Sequence, residues 1–115
     1  MSRPVHFEIP AQDPERAKQF FSNVFGWTFQ QAMPDYHFAM TGEGMGIDGA
    51  IMKRPGPVTN SILVDSINEY IAKVEQNGGT IVVPKTEIPG MGFYANFTDT
   101  EGNIHGLWQA EPSGK

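Results

Sequence analysis

The sequence predicts an α+β domain in which one β-α-β-β-β unit occurs twice. Two segments that begin 53 positions apart, Asp13–Trp27 and Ser66–Thr80, each combine a capping residue, an apolar stripe and terminal glycines, as amphipathic helices do. Each follows a short apolar segment and precedes several strand-like ones. Because matching segments at a fixed offset indicate a repeated structural unit, we expect two similar modules in this chain of 115 residues.

The first predicted element is a strand at Val5–Ile9. Its residues alternate between apolar and polar, which is typical of a strand with one buried face. Phe7 and Ile9 are expected under the following helix. His6 and Glu8 should therefore share the opposite face of the strand.

A helix should follow, from the N-cap Asp13 to the stop at Gly26, with Pro14 at the favoured first position. The glycine-rich segment at 42–49 is interpreted as a loop and not as a phosphate cradle, because it lacks the rest of a P-loop pattern. Two prolines and a glycine make 54–57 the best linker candidate. The remaining strands of the first module are expected at 28–32, 36–40 and 50–52.

The second module should begin with a strand at 61–64 and a helix that opens at Ser66. Ser66 and Glu69 have the spacing of a capping box, and Gly78–Gly79 ends the apolar stripe. The segment from Pro84 to Gly92 is expected to be a loop. The strands of this module are predicted at 81–83, 93–97 and 104–109.

Each helix is expected to cover one face of its small sheet and to leave the other face open. The two open faces should close on each other into a curved, open barrel. We expect residues 1–115 to form one domain, with module one at about 4–54, a linker at about 55–58 and module two at about 59–110.

Five side chains on the strand faces away from the helices are candidates for the lining of a cavity in that barrel. His6 and Glu8 are the catalytic candidates, since a carboxylate beside an imidazole supports general acid and base chemistry. Tyr94, Asn96 and Trp108 are expected to contact a ligand. Structural roles remain open for both sets. The alternative for His6 and Glu8 is a hydrogen-bonded pair that contacts no ligand, and the alternative for Trp108 is an indole that fills the barrel.

The other two histidines are expected to be structural. His105 has the opposite parity to Trp108 and should lie toward the helix layer as a partly buried, hydrogen-bonded ring. His37 is expected in an edge strand.

Composition excludes several classes of function. The net charge of −5 and the scattered Lys and Arg residues argue against a nucleic-acid partner. A cysteine count of zero excludes disulfides, thiolate nucleophiles and zinc held by cysteine. The sequence shows neither a leader-like apolar run at its start nor the stretch of about 20 apolar residues that spans a membrane. We therefore expect a cytoplasmic location and no membrane partner.

A set of motifs occurs in a characteristic order along the chain. These are His6 seven residues before Asp13, Arg16–Ala17, Phe20–Phe21, Val24–Trp27, and Asp99–Asn103 before the last strand. In this order they resemble the vicinal oxygen chelate (VOC) superfamily, which includes glyoxalase I, extradiol dioxygenases and bleomycin-resistance proteins. The resemblance covers nearly the whole chain. It is closest to a bacterial subgroup of short glyoxalase-like proteins, through the segments 4–10 and 106–109.

The resemblance implies a divalent metal held by one residue from the first strand and one from the last strand of each module. His6 matches the first of these positions, but Thr59 stands at its counterpart in the repeat. Gly106 occupies the position of the usual glutamate, and Lys53 is its counterpart. Because these metals require His or carboxylate ligands, we expect no metal cofactor and a degenerate metal site.

The resemblance implies a protein that binds an unidentified small organic molecule in the barrel cavity. One form of this hypothesis is that the protein also catalyses a reaction on that molecule without a metal. Sequestration of an antibiotic or toxin is the first alternative. A metal-dependent lyase, isomerase or dioxygenase is the second, and the missing ligands disfavour it. Whether the chain is an enzyme stays open at this point. The resemblance also implies a homodimer.

Overall fold

The computed structural model describes residues 2–111, and within that range the predicted β-α-β-β-β order occurs twice. The predicted α+β class and the doubled module are therefore confirmed. Neither of the two helices in this range is long and apolar enough to cross a membrane. The elements are β1 Arg3–Ala11, α1 Pro14–Phe25, β2 Thr28–Met33, β3 Tyr36–Met40, β4 Gly49–Lys53, β5 Thr59–Leu63, α2 Ile67–Gln76, β6 Thr80–Ile88, β7 Gly92–Thr98 and β8 Ile104–Ala110.

The contacts within the chain divide it into two compact units. The first unit is Val5–Thr59, and the second contains the described residues 2–4 and 60–111. In the first unit the strand order is β2-β3-β4-β1, with β1 parallel to β4 and the other pairs antiparallel. In the second unit the order is β5-β8-β7-β6, with β5 parallel to β8 and the other pairs antiparallel.

In the first unit, aromatic rings join α1 to the sheet. The side chain of Asp13 accepts a hydrogen bond from the Arg16 N–H, and Gly26 ends the helix in the left-handed conformation with φ 75°. This turn brings Trp27 onto Phe21 of α1, with ring centroids 4.8 Å apart and nearly parallel planes. The Trp27 ring also contacts Phe7 at 5.6 Å. Phe7 therefore faces the helix layer, as its position in the alternating strand predicts.

In the second unit, α2 covers a continuous apolar core. The Oγ of Ser66 accepts from the Glu69 N–H at 3.3 Å, as the capping motif predicts. The side chain of Gln109 on β8 accepts from the Ile67 N–H at 2.8 Å and thus satisfies a second N–H at the helix start. The buried core comprises Ile67 of the helix and, below it, Val64, Ala95 and Leu107.

The predicted loop from Pro84 to Gly92 is wrong, because β6 continues to Ile88. β6 is the edge strand of its sheet and has a neighbouring strand on one side only. Pro84, which has no backbone N–H, is tolerated there because the free side of an edge strand needs no hydrogen-bond donor. Register shifts on both sides of Val83 absorb the irregularity. Only a tight turn remains, closed by a hydrogen bond from the Met91 N–H to the Ile88 carbonyl oxygen at 2.9 Å.

We predict that Gly49→Ala destabilises the first unit. Gly49 pairs with Phe7 across the parallel β1–β4 ladder, and a Cβ there would lie 2.5 Å from the Phe7 ring and from its backbone oxygen. We expect the free energy of unfolding to fall by about 1–3 kcal/mol, as for other overpacked sites. Urea unfolding followed by tryptophan fluorescence measures this. The exposed Thr28→Ala is the control and should change stability by less than about 0.5 kcal/mol; equal effects of the two substitutions would contradict the prediction.

Candidate functional site

His6 and Glu8 meet Tyr36 on the face of the first sheet that points away from α1. The Tyr36 hydroxyl donates to Glu8 Oε2 at 3.0 Å, and His6 Nε2 lies 3.3 Å from the same hydroxyl. His6 Nε2 is also 3.7 Å from Glu8 Oε2. The side chains of His6 and Glu8 are 26% and 29% exposed, so a ligand has access to both. We refer to His6, Glu8 and Tyr36 as the polar triad.

Strand register explains why Tyr36 reaches this face. β4 lies between β1 and β3, with Glu8 opposite Ala50 and Met52 opposite Tyr36. Residues opposite one another share a face, so Tyr36 lies on the side of Glu8.

Arg54 provides a positive charge beside the polar triad. Its Nη2 lies 3.7 Å from Glu8 Oε1 and donates to Thr59 Oγ1 at 3.1 Å. Its Nη1 donates to the Pro55 carbonyl oxygen at 3.1 Å. These two hydrogen bonds within the segment after β4 hold the guanidinium against the second oxygen of Glu8.

The surroundings of Glu8 keep it ionised. Burial by itself would raise the pKa of Glu8, but the nearby His6, the hydrogen bond from Tyr36 and the charge of Arg54 outweigh it and hold the pKa below its ordinary value. Burial, followed by the charge of Glu8 and its hydrogen bond, raises the pKa of Tyr36 far above 10.0. At neutral pH, Glu8 is therefore a carboxylate and Tyr36 is a neutral hydrogen-bond donor.

This arrangement divides the possible chemical roles. Glu8 accepts hydrogen bonds and protons, whereas Tyr36 is too weak an acid to serve as a phenolate base. His6 adds an imidazole, a side chain that serves as an acid or a base in catalysis. The geometry thus supplies a carboxylate base, an imidazole and a fixed donor within one small patch.

Tyr94, Asn96 and Trp108 share the face of the second sheet that points away from α2. On each sheet we refer to the face away from its helix as the outer face. Tyr94 lies directly opposite Trp108, and Asn96 lies opposite Gly106. Their neighbours Ala95 and Leu107 belong to the core below α2, so the three side chains point away from that helix. The alternation of side chains along β7 and β8 predicts this shared face correctly. Contact of the three residues with a ligand remains a prediction.

His105 is held by hydrogen bonds on both ring nitrogens. Nε2 lies 2.9 Å from Asp99 Oδ2, and Nδ1 lies 3.2 Å from Asn60 Oδ1. The ring stacks on Phe97 with centroids 5.3 Å apart. The hydrogen bond with His105, aided by the Asn103 N–H, lowers the pKa of Asp99 well below its ordinary range. The predicted structural role of His105 agrees with these contacts.

His37 is buried and not in an edge strand, so that expectation is wrong. β3 lies between β2 and β4, and His37 is 5% exposed. Its Nδ1 lies 3.3 Å from the Lys18 ammonium of α1. His37 thus belongs to the helix side of the sheet, opposite to the polar triad.

The residues at the metal positions implied by the VOC resemblance do not fit a divalent metal. Gly106 supplies a bare backbone where a carboxylate is required, and Thr59 has neither a carboxylate nor an imidazole. The expected position of Lys53 is wrong, because Ala50 lies opposite Glu8 as Gly106 lies opposite Ser61; Ala50 also has no ligand atom. No group of three His, Asp or Glu side chains with metal-binding geometry occurs within residues 2–111. Beside Glu8, the guanidinium of Arg54 already supplies positive charge and opposes a second cation.

Sequence reasoning missed Tyr36 and Arg54. The sequence places Tyr36 in a strand and predicts no role for it, because its approach to Glu8 depends on the pairing of three strands. Arg54 falls in the segment that the sequence predicts to be a linker. A basic residue directly after a strand that pairs in parallel with β1 would indicate the role of Arg54. This signal can be used only when the pairing of β1 with β4 is known.

Comparisons with known proteins establish the family. A family model described as bleomycin resistance protein-like N-terminal matches residues 3–42. A glyoxylase-like domain-containing protein from Didymella fabae is 33% identical over 115 residues, covering 87% of this chain and 88% of that protein. The chain belongs to the VOC superfamily. The predicted resemblance is therefore confirmed.

A solved structure agrees in fold, and a further relative agrees in sequence. A glyoxalase/bleomycin resistance protein/dioxygenase superfamily member from Vibrio splendidus 12B01 superposes with a TM-score of 0.69 at 16% identity, covering 95% of this chain and 99% of that one. CFP32 of Mycobacterium tuberculosis (strain CDC 1551 / Oshkosh), provisionally named a glyoxylase, is 29% identical over 93% of this chain. The chain spans 45% of the length of CFP32.

We predict that Tyr36→Phe has a pH-dependent cost. At pH 7 the loss of a hydrogen bond to a half-buried carboxylate should lower the free energy of unfolding by about 1–3 kcal/mol. Above pH 10 the wild type loses stability, because Tyr36 ionises in the unfolded chain and not in the folded one. Below pH 4.5 the wild type loses the contribution of Glu8, whose folded pKa is lowered. The difference between the two proteins should therefore be largest near neutrality and shrink at both ends.

Urea unfolding at about pH 3.5, 7 and 10.5 measures this difference. Tyr70→Phe is the matched control, since it removes a phenolic hydroxyl from a ring packed on the core of the other unit. A cost of Tyr36→Phe that is the same at all three pH values would refute the assigned ionisation states.

Proposed function

We propose that this VOC domain binds a small organic molecule at the polar triad and moves a proton on it without a metal. The observation that carries the proposal is the ionised Glu8, held by Tyr36 and Arg54 and flanked by His6. The guanidinium supplies positive charge beside this carboxylate, where the donor set does not fit a metal. Lyase or isomerase chemistry of the glyoxalase-like kind consists of such proton transfers.

Each residue of the triad has a distinct role in this proposal. Glu8 Oε2 removes a proton from the ligand, and His6 Nε2, which lies 3.7 Å from that oxygen, returns a proton to a neighbouring ligand atom. Tyr36 orients Glu8 through its hydrogen bond at 3.0 Å. A base positioned in this manner contributes about 10²- to 10⁴-fold to the rate.

Tyr94, Asn96 and Trp108 remain our candidates for contacts with the ligand. A paired phenol and indole with a neighbouring amide supply apolar surface and polar anchors together, as in small-molecule sites. We also propose a homodimer in the cytoplasm. Its support is the VOC relationship and an exposed apolar stripe on α1, where Phe20 is 56% and Phe25 is 62% exposed.

Sequestration of a toxic compound is the second candidate function. The match to the bleomycin resistance protein-like model over residues 3–42 favours it, because that segment contains the whole polar triad. In this case His6 and Glu8 would anchor the ligand and no bond would change. A metal-dependent reaction has no comparable support in the donor set.

We predict that Glu8→Gln abolishes proton transfer. Hydrogen–deuterium exchange at carbons next to the carbonyl in a panel of small α-oxoaldehydes and ketones, followed by proton NMR in D₂O, measures transfer directly. With protein treated with EDTA, the wild type should accelerate exchange of at least one compound. Glu8→Gln should lose about 10²- to 10⁴-fold and His6→Ala a comparable factor, because each removes one partner of the transfer.

The exposed Glu69→Gln on α2 is the matched control and should exchange as fast as the wild type. Unfolding curves of all three variants exclude loss of structure as the cause. Exchange that is equally fast in Glu8→Gln and His6→Ala would refute their catalytic roles, and exchange that requires added Zn²⁺, Fe²⁺ or Ni²⁺ would refute the proposed independence from metal.

We predict a different outcome for Trp108→Ala if sequestration is the function. Bleomycin, used as the probe, should then bind to the wild-type protein and be recovered chemically unchanged. The substitution should weaken binding at least about tenfold, since aromatic contacts dominate such sites. Isothermal titration measures the affinity, and mass spectrometry of the recovered probe tests for reaction. Failure of the wild type to bind bleomycin would remove this compound from the candidates.

A further inference from the structure

An open groove lies at the end of the parallel pair β1–β4, next to the polar triad. Ala11 pairs with Lys53 at the last register position, so both strands end at the same edge of the sheet. The chain after each strand forms one side of the groove. Its lining residues are Pro10, Ala11, Gln12, Lys53, Arg54, Pro55 and Gly56.

The charge of this groove is opposite to the charge of the whole chain. The sequence has 13 acidic and 8 basic residues, yet the lining contains two bases, Lys53 and Arg54, and no acid. Arg54 lies 3.7 Å from Glu8 beside the groove, so the excess positive charge is that of Lys53. The Lys53 side chain is exposed, and its backbone N–H donates to the Asp35 carbonyl oxygen at 2.9 Å, which fixes its position at the strand end. A local excess of positive charge attracts an anion even when the net charge is negative.

Arg54 connects the groove to the triad. It lines the groove and also lies 3.7 Å from Glu8 Oε1. Two of its N–H groups donate to Pro55 and Thr59, and a guanidinium has five such donors, so further donors remain for a ligand. A carboxylate that binds to Arg54 in this groove would thus have its body next to Glu8.

The uncharged part of the lining indicates what accompanies the negative charge. Pro10, Ala11 and Pro55 provide apolar walls, and Gln12 provides an amide that pairs with either oxygen or N–H groups. Such a surface suits a compact apolar body better than a sugar or a free inorganic ion.

We propose that the ligand is a small organic acid whose carboxylate binds in the Lys53–Arg54 groove while its body reaches the polar triad. This inference rests on the proposed function, since it assigns a class to the same ligand. The negative charge of a carboxylate bound to Arg54 would offset part of the positive charge beside Glu8. Because the charge of Arg54 helps to lower the pKa of Glu8, the bound acid would make Glu8 a stronger base.

Titration of the ¹⁵N-labelled chain with benzoate, benzamide and inorganic phosphate tests this inference. Benzoate carries an apolar body and a carboxylate, benzamide has the same shape without charge, and phosphate has charge without the body. Benzoate should shift the backbone signals of 11–12, 53–54 and 56 and those of the triad, and should bind at least about tenfold more tightly than either other probe.

Lys53→Gln should weaken benzoate binding about five- to tenfold, whereas Lys73→Gln should leave it within about twofold. Lys73 is a matched control, because its ammonium is also exposed, at 55%, and lies on α2 of the other unit. Equal binding of benzoate and benzamide, equal binding of benzoate and phosphate, or indifference to Lys53→Gln would each overturn the inference, as would the absence of any shift with benzoate.

Failure of the proposed function gives a different result in the same experiment. If benzoate shifts the groove signals but not those of His6, Glu8 and Tyr36, the groove binds acids apart from the triad, and the shared ligand is refuted. If benzamide and benzoate shift the triad alike, the triad binds small organic molecules and only the organic-acid assignment is wrong.

Discussion

The half-buried carboxylate of Glu8 is the constraint around which the candidate site is organised. A carboxylate that leaves water requires hydrogen-bond donors or positive charge, or it takes up a proton. Tyr36 donates a hydrogen bond to one oxygen, His6 Nε2 lies 3.7 Å from the same oxygen, and Arg54 supplies charge beside the other. These partners come from β1, β3 and the segment after β4, so the ionised state of Glu8 depends on the correct assembly of the whole first sheet.

The two modules share a backbone plan and differ in the chemistry of their outer faces. In both, a side-chain oxygen caps the helix and the apolar face of the sheet packs below it. The first module presents an acid, an imidazole and a guanidinium on its other face, whereas the second presents Tyr94, Asn96 and Trp108. The packed face must remain apolar for the module to fold, while the outer face is free to vary. The same fold can therefore carry different chemistry on the face that points away from its helix.

Much of the fold could be predicted because its signals are local. Asp13, Ser66 and Gly26 act on their own helices, and alternation places Phe7 and Ala95 on the packed sides of their strands. The error at Pro84 has a different origin. Whether a proline ends a strand depends on whether that strand has a neighbour on both sides, and the position of β6 at the edge of its sheet is not a local property.

The sequence by itself determined the doubled module, the side of each strand on which His6, Glu8, Tyr94, Asn96 and Trp108 lie, and the poor fit of the expected positions to a metal. Only the tertiary structure decided which residues surround Glu8. Tyr36 is 28 residues from Glu8 along the chain, and Arg54 follows a different strand. Periodicity specifies a face, but contact across strands depends on order and register, which arise from pairing between distant segments.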